Sequence, residues 1–256
     1  MQEPKLTLKN MSGHLKTVNK HKWEVAKACF KAGLYWQGII HDFSKYSPAE
    51  FINSARYYQG NSSPIDAEKK EKGYSFMWLH HRGRNPHHWE YWVDGLSRGG
   101  VPVKIPVKYV TEMICDFIAA GKVYLKDKWN FSSPLAHTSN AIGNKLMVLH
   151  PKTQELILAI ENDLAQNGFV ALKKSRIKAL AASMNYENTP NVDSDELRAV
   201  ANKAISITEK QPEIVKVNAE EKNSVRGETL HSHKVTEPHT NPVLPNTSQQ
   251  INNLGK

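Results

Sequence analysis

Between residues 13 and 33 the apolar positions Leu15, Val18, Val25, Cys29 and Phe30 recur at three- and four-residue steps with lysines between them, as an amphipathic helix requires. Gly33 supplies a stop. "LYWQGIIHDF" is a short apolar segment that predicts a second helix, and "SPAE" predicts a third: Ser47 as N-cap, Pro48 at the first helical position, and Glu50 closing a capping box. "FINSARYYQG" continues that helix, and "NSSPIDAEKKEKG" reads as a polar loop or a short helical excursion. "YSFMWLHH" is helical until "RGRNP" breaks it. A proline-punctuated stretch then becomes a helix over residues 106–120, and another runs from Pro151 to a stop at Gly168. Alternating strand patterns of any length are missing, so the fold class predicted is all-α. Past residue 167, "FVALKKSRIKALAASMNY" and "DSDELRAVANKAISI" predict a small helical extension, and Asn, Ser, Thr and Pro dominate the remainder of the chain. The predicted organisation is a helical domain at 1–167, an extension at 168–208 and a disordered polar tail at 209–256.

Composition narrows the class. The 256 residues, 39% hydrophobic and 23% charged, suit one core of moderate size with something less compact attached. No apolar stretch approaches the ~20 residues that cross a bilayer, and "MQEPKLTLKN" lacks a signal-peptide core. A soluble cytoplasmic protein is expected. Cys29 and Cys115 each sit in an apolar segment, which predicts buried reduced thiols and no zinc knuckle. A net charge of +9 and a pI near 9.4 favour anionic partners such as phosphates or nucleic acid. The lysines are scattered, however, and read equally as solvated helix surface.

Candidate chemistry lies early in the chain, where nine of the 12 histidines precede residue 151. His21 shares a helix face with Val18, Val25 and Cys29, and so points at the core. Asp42 follows "GII", and Asp116 is embedded in "MICDFIAA". Buried carboxylates must be paired, protonated or metal-bound. Each residue alone has an ordinary reading, a core histidine bonded to backbone or an aspartate paired with lysine. Together His21, His41, Asp42 and Asp116 share one simple reading as ligands of a divalent metal, with nitrogen and oxygen donors that suit Mn, Fe, Co, Ni or Zn.

A helix histidine, an adjacent His-Asp pair followed by lysine ("HDFSK"), a later "HH" and a lone helical aspartate resemble the HD-domain superfamily of metal-dependent phosphohydrolases. The resemblance implies an HD-domain-like helical bundle, with His21, His41, Asp42 and Asp116 matching the metal ligands and Lys45 the lysine frequent in the cyclic-dinucleotide phosphodiesterase branch. Over residues 13–164 the stretches "HKWEV", "HDFSKYSPAEF", "LHHRGRNPHHWEYW", "EMICDF" and "LHPKT" are also similar to an uncharacterised domain family of bacteria and phages, which names no activity.

The cluster "WLHHRGRNPHHWEYW" holds four histidines, two arginines and three tryptophans. In the HD enzymes a histidine pair at this place in chain order binds a second metal or contacts phosphate. Of the adjacent pair, His80 is the expected one to face the site, and His87 or His88, after the proline, reaches back as general acid or ligand. Arg82 and Arg84 flank a glycine and would clamp phosphate oxygens bidentately. An aromatic packing cluster with solvated turn arginines is the other reading. His14 is expected to pack; His137 and His150 are not assigned, and the tail histidines are set aside. The expected activity is hydrolysis of a phosphate ester or anhydride in a nucleotide or other small molecule, by a metal-activated water. A non-catalytic, metal-stabilised module that binds nucleotide or nucleic acid through its basic surface is the alternative. Oligomeric state is left open.

Overall fold

The computed structural model of the protein describes residues 4–60, 62–94, 100–193 and 195. Helix α1 (Leu8–Lys31) starts at Thr7, whose hydroxyl accepts from the Asn10 amide at 3.1 Å. It ends before Gly33, whose φ of +73° is a left-handed turn that glycine makes without steric penalty. The helix begins earlier than periodicity suggests and runs straight through Gly13, whose missing side chain makes room for the Tyr58 ring, 2.5 Å from where a Cβ would be. Next come α2 (Tyr35–Ile40), a 3₁₀ turn (Phe43–Tyr46), α3 (Pro48–Arg56), α4 (Pro64–Lys72) and α5 (Phe76–Arg82). After a 3₁₀ turn at Trp89–Trp92, β1 (Val93–Asp94) pairs antiparallel with β2 (Val101–Pro102). Helices α6 (Val107–Tyr124), α7 (Ser133–Gly143), α8 (Pro151–Asn167) and α9 (Lys174–Ser183) complete the described chain. The protein is all-α, with that two-residue ladder its only sheet among the described residues.

Helix α6 is the axis of the core. Val110, Met113, Ile114, Cys115, Ile118 and Ala119 are all buried, so it is apolar almost all round, the pattern of a central helix. Val25 and Cys29 of α1 pack on one side and Leu156, Ile157, Ile160 and Leu164 of α8 on another. Fully burying each such side chain contributes roughly 1.5–3 kcal/mol. Leu172, Ile177, Ala181 and Tyr186 enter the same core, so residues 168–186 are built onto it. Tyr186 donates to the Ile105 carbonyl and lies 3.1 Å from the Thr153 hydroxyl. The buried Lys104 ammonium donates to the Tyr186 carbonyl at 2.8 Å. Both cysteines are free and buried, and contact with Cys29 together with burial pushes the Cys115 thiol far up.

Residues 64–72 take the helical one of the two expected readings, and α7, with Pro134 in its first turn, was not anticipated. The start of α3 needs correction. Ser47 and Pro48 do open α3, but Ser47 makes no side-chain cap and Glu50 closes no capping box. Its carboxylate points instead at Ser44, His80 and His81. No described helix is long and apolar enough to cross a membrane. The remainder of the anticipated extension, at 194 and 196–208, and the tail at 209–256 lie outside the described residues.

Candidate metal centre

Four helices and two turns deliver the site. Helix α1 presents His21 on the buried stripe His14, Val18, His21, Val25. Helix α2 stops at Ile40, and the chain turns through His41 into Asp42, whose φ of 54° and ψ of 28° are left-handed. That conformation is uncommon outside glycine, although Asp and Asn tolerate it best, and in a buried residue it directs attention to the side chain it aims. Helix α6 supplies Glu112 and Asp116, one turn apart, while α3 supplies Glu50, α5 His81, and the turn after α5 His87 and His88.

Asp42 joins two groups of donors. Its Oδ2 lies 3.3 Å from His41 Nε2, 3.6 Å from His21 Nε2 and 2.5 Å from Lys45 Nζ. Its Oδ1 lies 3.1 Å from His81 Nε2 and 3.3 Å from His87 Nε2. Asp116 Oδ1 closes the first group, 2.9 Å from His21 Nε2 and 3.6 Å from His41 Nε2. Two sets of four donors result, His21, His41, Asp42 and Asp116 in one and Asp42, His81, His87 and His88 in the other, each with donor atoms within 4.8 Å of one another.

A second layer of carboxylates fixes which nitrogen faces inward. Glu112 Oε1 is 2.9 Å from His41 Nδ1 and 3.2 Å from His87 Nδ1, and Glu50 Oε2 is 2.8 Å from His81 Nδ1. Interaction with those imidazoles overcomes the opposing effect of burial and lowers both glutamates, so they are ionised. An ionised carboxylate only accepts, hence each Nδ1 carries the hydrogen and donates. Each Nε2 is thereby aimed at Asp42, the carboxylate–histidine arrangement that orients metal ligands. Ser44 and Asn85 tie Glu50 and His81 together, with Ser44 Oγ donating to Glu50 at 3.1 Å and Asn85 donating to the His81 carbonyl at 2.7 Å.

This donor set fits a cation. The Nε2 atoms of His21, His41, His81, His87 and His88 and both Asp42 oxygens are buried without a properly directed hydrogen bond, despite their mutual proximity. Four carboxylates (Asp42, Glu50, Glu112 and Asp116) face one ammonium, Lys45, among the described residues. A buried surplus of negative charge must be met by imidazolium protons or by metal ions. Without metal, burial opposes charge on His41, but Asp42, Asp116 and Glu112 outweigh it and hold the imidazole well above its ordinary range. Burial likewise works against ionised Asp42 and Asp116, and the surrounding cations and imidazoles still hold both well below the usual carboxylate range. Burial disfavours the Lys45 ammonium too, and Asp42 and Asp116 keep it charged. His88 goes the other way: burial, then the charges of His87 and His81, keep it neutral.

The cluster opens on one side. The side chains of His21, Asp116 and Lys45 are 10%, 12% and 27% exposed, whereas those of Asp42, His41, His81 and His87 are at most 3% exposed. Anything arriving from water meets His21, Asp116 and Lys45 first.

The structure thus brings together His21, His41, Asp42, Asp116, Lys45 and His87. It does not bring in His80, whose Nδ1 turns to Glu50 Oε1 at 2.6 Å; the adjacent His81 takes the inward position, since successive residues on a helix face different ways. Arg82 is half-buried and Arg84 exposed, and neither pairs with a carboxylate of the site. His14 packs against Phe51 and Tyr58, where burial and then the charge of Lys45 lower its pKa to about 4. His137 lies against Phe117, and His150 caps α8 by accepting from the Lys152 amide at 3.1 Å. Sequence reasoning missed Glu112, Glu50 and the inward role of His81, and it expected only one of His87 and His88 where both face Asp42. The signal for Glu112 was its spacing of four from Asp116 on one helix face; Glu50 was hidden by its resemblance to a capping residue.

By fold and site, then, this is an all-α protein with a buried histidine–carboxylate centre divided about one aspartate. The chain belongs to a family of unknown function (DUF5662), whose model matches residues 10–163 and so spans every residue of both donor sets. No curated protein and no solved structure matches it.

Proposed function

We propose that this chain is a cytoplasmic, HD-like metal-dependent phosphohydrolase acting on a nucleotide or another phosphate ester. The observation that carries the reading is Asp42, a carboxylate with imidazole nitrogens on both oxygens, each of three rings anchored from behind by Glu112 or Glu50. His21, His41, Asp42 and Asp116 would hold one divalent ion (Mn, Fe, Co, Ni or Zn), and Asp42, His81, His87 and His88 a second. When bound, such ions supply Lewis acidity and lower the pKa of water at neutral pH.

The chain's own groups do the rest. Glu112 and Glu50 keep the imidazoles aligned with their protons on Nδ1. Lys45, charged and on the open side, holds a non-bridging phosphate oxygen and stabilises charge that grows there in the transition state. Having both nitrogens engaged with carboxylates, His87 acts as a ligand in this reading and not as the proton donor. His80, Arg82 and Arg84 are left without a role in the chemistry.

The test is metal analysis of the purified full chain, followed by phosphate release from nucleoside mono-, di- and triphosphates and cyclic dinucleotides with added Mn²⁺, Co²⁺ or Ni²⁺. Asp42→Asn should lose both metal and turnover. Metal without turnover, joined to salt-sensitive binding of nucleotide or nucleic acid, would replace the enzyme with a binding module. A wild-type chain that takes up no divalent ion sinks both.

A further inference from the structure

Helix α2 is inside out. Of its six residues only Gly38 is buried, while Tyr35, Trp36, Ile39 and Ile40 are 62%, 67%, 52% and 41% exposed. Phe30 and Phe43, 44% and 64% exposed, extend the same surface. Phe30 adjoins it through its ring contact with Tyr35 at 5.5 Å. Phe43 adjoins it through Lys22, whose ammonium donates to the Ile39 carbonyl at 2.7 Å and sits 4.7 Å from the Phe43 ring centre. Scattered exposed apolar residues need no explanation, but a contiguous set of six large ones marks an interaction surface. A helix this short is also marginal without packing, and its inner face offers only a glycine against Cys29 and Phe30.

We propose that this face is covered by a second copy of the chain, in a dimer that apposes the two α2 helices. Area supports it: six side chains of these sizes and exposures present on the order of 700 Å², close to the roughly 800 Å² per partner that a stable interface covers. Charge supports it as well. Lys22 is spent on the Ile39 and His41 carbonyls, and Lys31, next to Phe30, lies 5.0 Å from the Phe169 ring centre. The cations nearest the face are therefore engaged within the chain, which suits an apolar protein partner better than phosphate headgroups or nucleic acid. Aromatic-rich, charge-poor composition is also what the centre of a protein–protein interface contains. The inference stands whether or not the metal centre is catalytic.

The experiment is the mass of the full chain in solution, by sedimentation equilibrium across a micromolar dilution series, for wild type, Trp36→Glu, Ile39→Glu and Leu146→Glu. Leu146, 67% exposed in the loop between α7 and α8, controls for added charge. Wild type and Leu146→Glu should be dimers, and the two α2 variants should dissociate with a constant raised about 100-fold or more, as central aromatic and aliphatic anchors give. Unchanged helical circular dichroism of the variants shows that they fold. A monomeric wild type overturns the proposal, and so does a dimer that survives both α2 substitutions. A monomer that pellets with phosphatidylglycerol vesicles, and ceases to when Trp36 is replaced, gives the face to lipid and overturns it too.

Discussion

His41 and His87 stack with ring centres 4.2 Å apart and share a single oxygen of Glu112. One carboxylate therefore sets the tautomer of a histidine in each donor set, and neither ring can turn without disturbing the other. Glu112→Gln preserves size and leaves one carbonyl oxygen that can still accept from both Nδ1–H groups, but it removes the charge that makes both bonds strong. Divalent-metal affinity should fall about 10–100-fold, the usual effect of losing an orienting partner. Competition titration against a chelating dye measures it, and an unchanged affinity would show that Glu112 does not position the ligands.

Chelation should lower thermal stability. An ion that binds only the folded chain stabilises it by about 2.7 kcal/mol at 100 times its dissociation constant, and a chelator removes that increment. Melting followed by circular dichroism, with and without EDTA and after readdition of Mn²⁺, gives the value. Asp42→Asn should melt at one temperature in all three conditions. In the metal-free protein imidazolium protons take the place of the cation, so uptake should release protons into weakly buffered solution.

Glu161 gives a pH signature separate from the metal centre. It is fully buried on α8; one oxygen accepts from the Thr138 hydroxyl at 2.9 Å and the other has no partner. Burial raises its pKa from 4.5 to about 8, against a smaller opposing effect of the Thr138 bond. Between those values the folded state holds a proton that the unfolded state has lost, so stability falls as pH rises through this window. At about 1.4 kcal/mol per unit the loss is on the order of 4 kcal/mol. Glu161→Gln should flatten that part of the curve, read as the difference between urea midpoints of the two proteins from pH 5 to 8.

Gly38 connects core packing to the ligands. A Cβ there would sit 3.0 Å from Cys29 Cβ and 3.0 Å from the Phe30 ring, and Cys29 is fully buried in the core. Gly38→Ala should cost roughly 1–3 kcal/mol in urea unfolding, the range for overpacking. It should also weaken metal binding by displacing the end of α2 where His41 and Asp42 begin. Stability at or above wild type would mean that α2 shifts freely, and the link to the ligands would be lost.

The parts of this protein that sequence exposes are those written as periodicity or as chemical oddity. The stripe through His14, Val18, His21 and Val25 announces α1 and points His21 inward; Asp42 and Asp116 stand out because carboxylates seldom occupy apolar segments. What stays hidden depends on contacts between distant elements. Glu50 has the local signature of a helix start, and only the arrival of α5 beside α3 makes it the anchor of His80 and His81. Choosing His81 over His80 requires the rotation of α5 about its axis, and seven residues of mixed polarity do not fix that. The outward face of α2 was invisible for the opposite reason: its sequence is apolar enough to read as core.

The imbalance between four carboxylates and one lysine also dictates an order of arrival. Before any cation has come, imidazolium protons and Lys45 offset that charge within the cluster, so a phosphate drifting toward His21, Asp116 and Lys45 finds little to draw it in. After the cations have come, the same approach is attractive. Phosphate analogues should therefore associate with the loaded protein and ignore the stripped one, which makes metal supply a switch upstream of whatever the centre accepts.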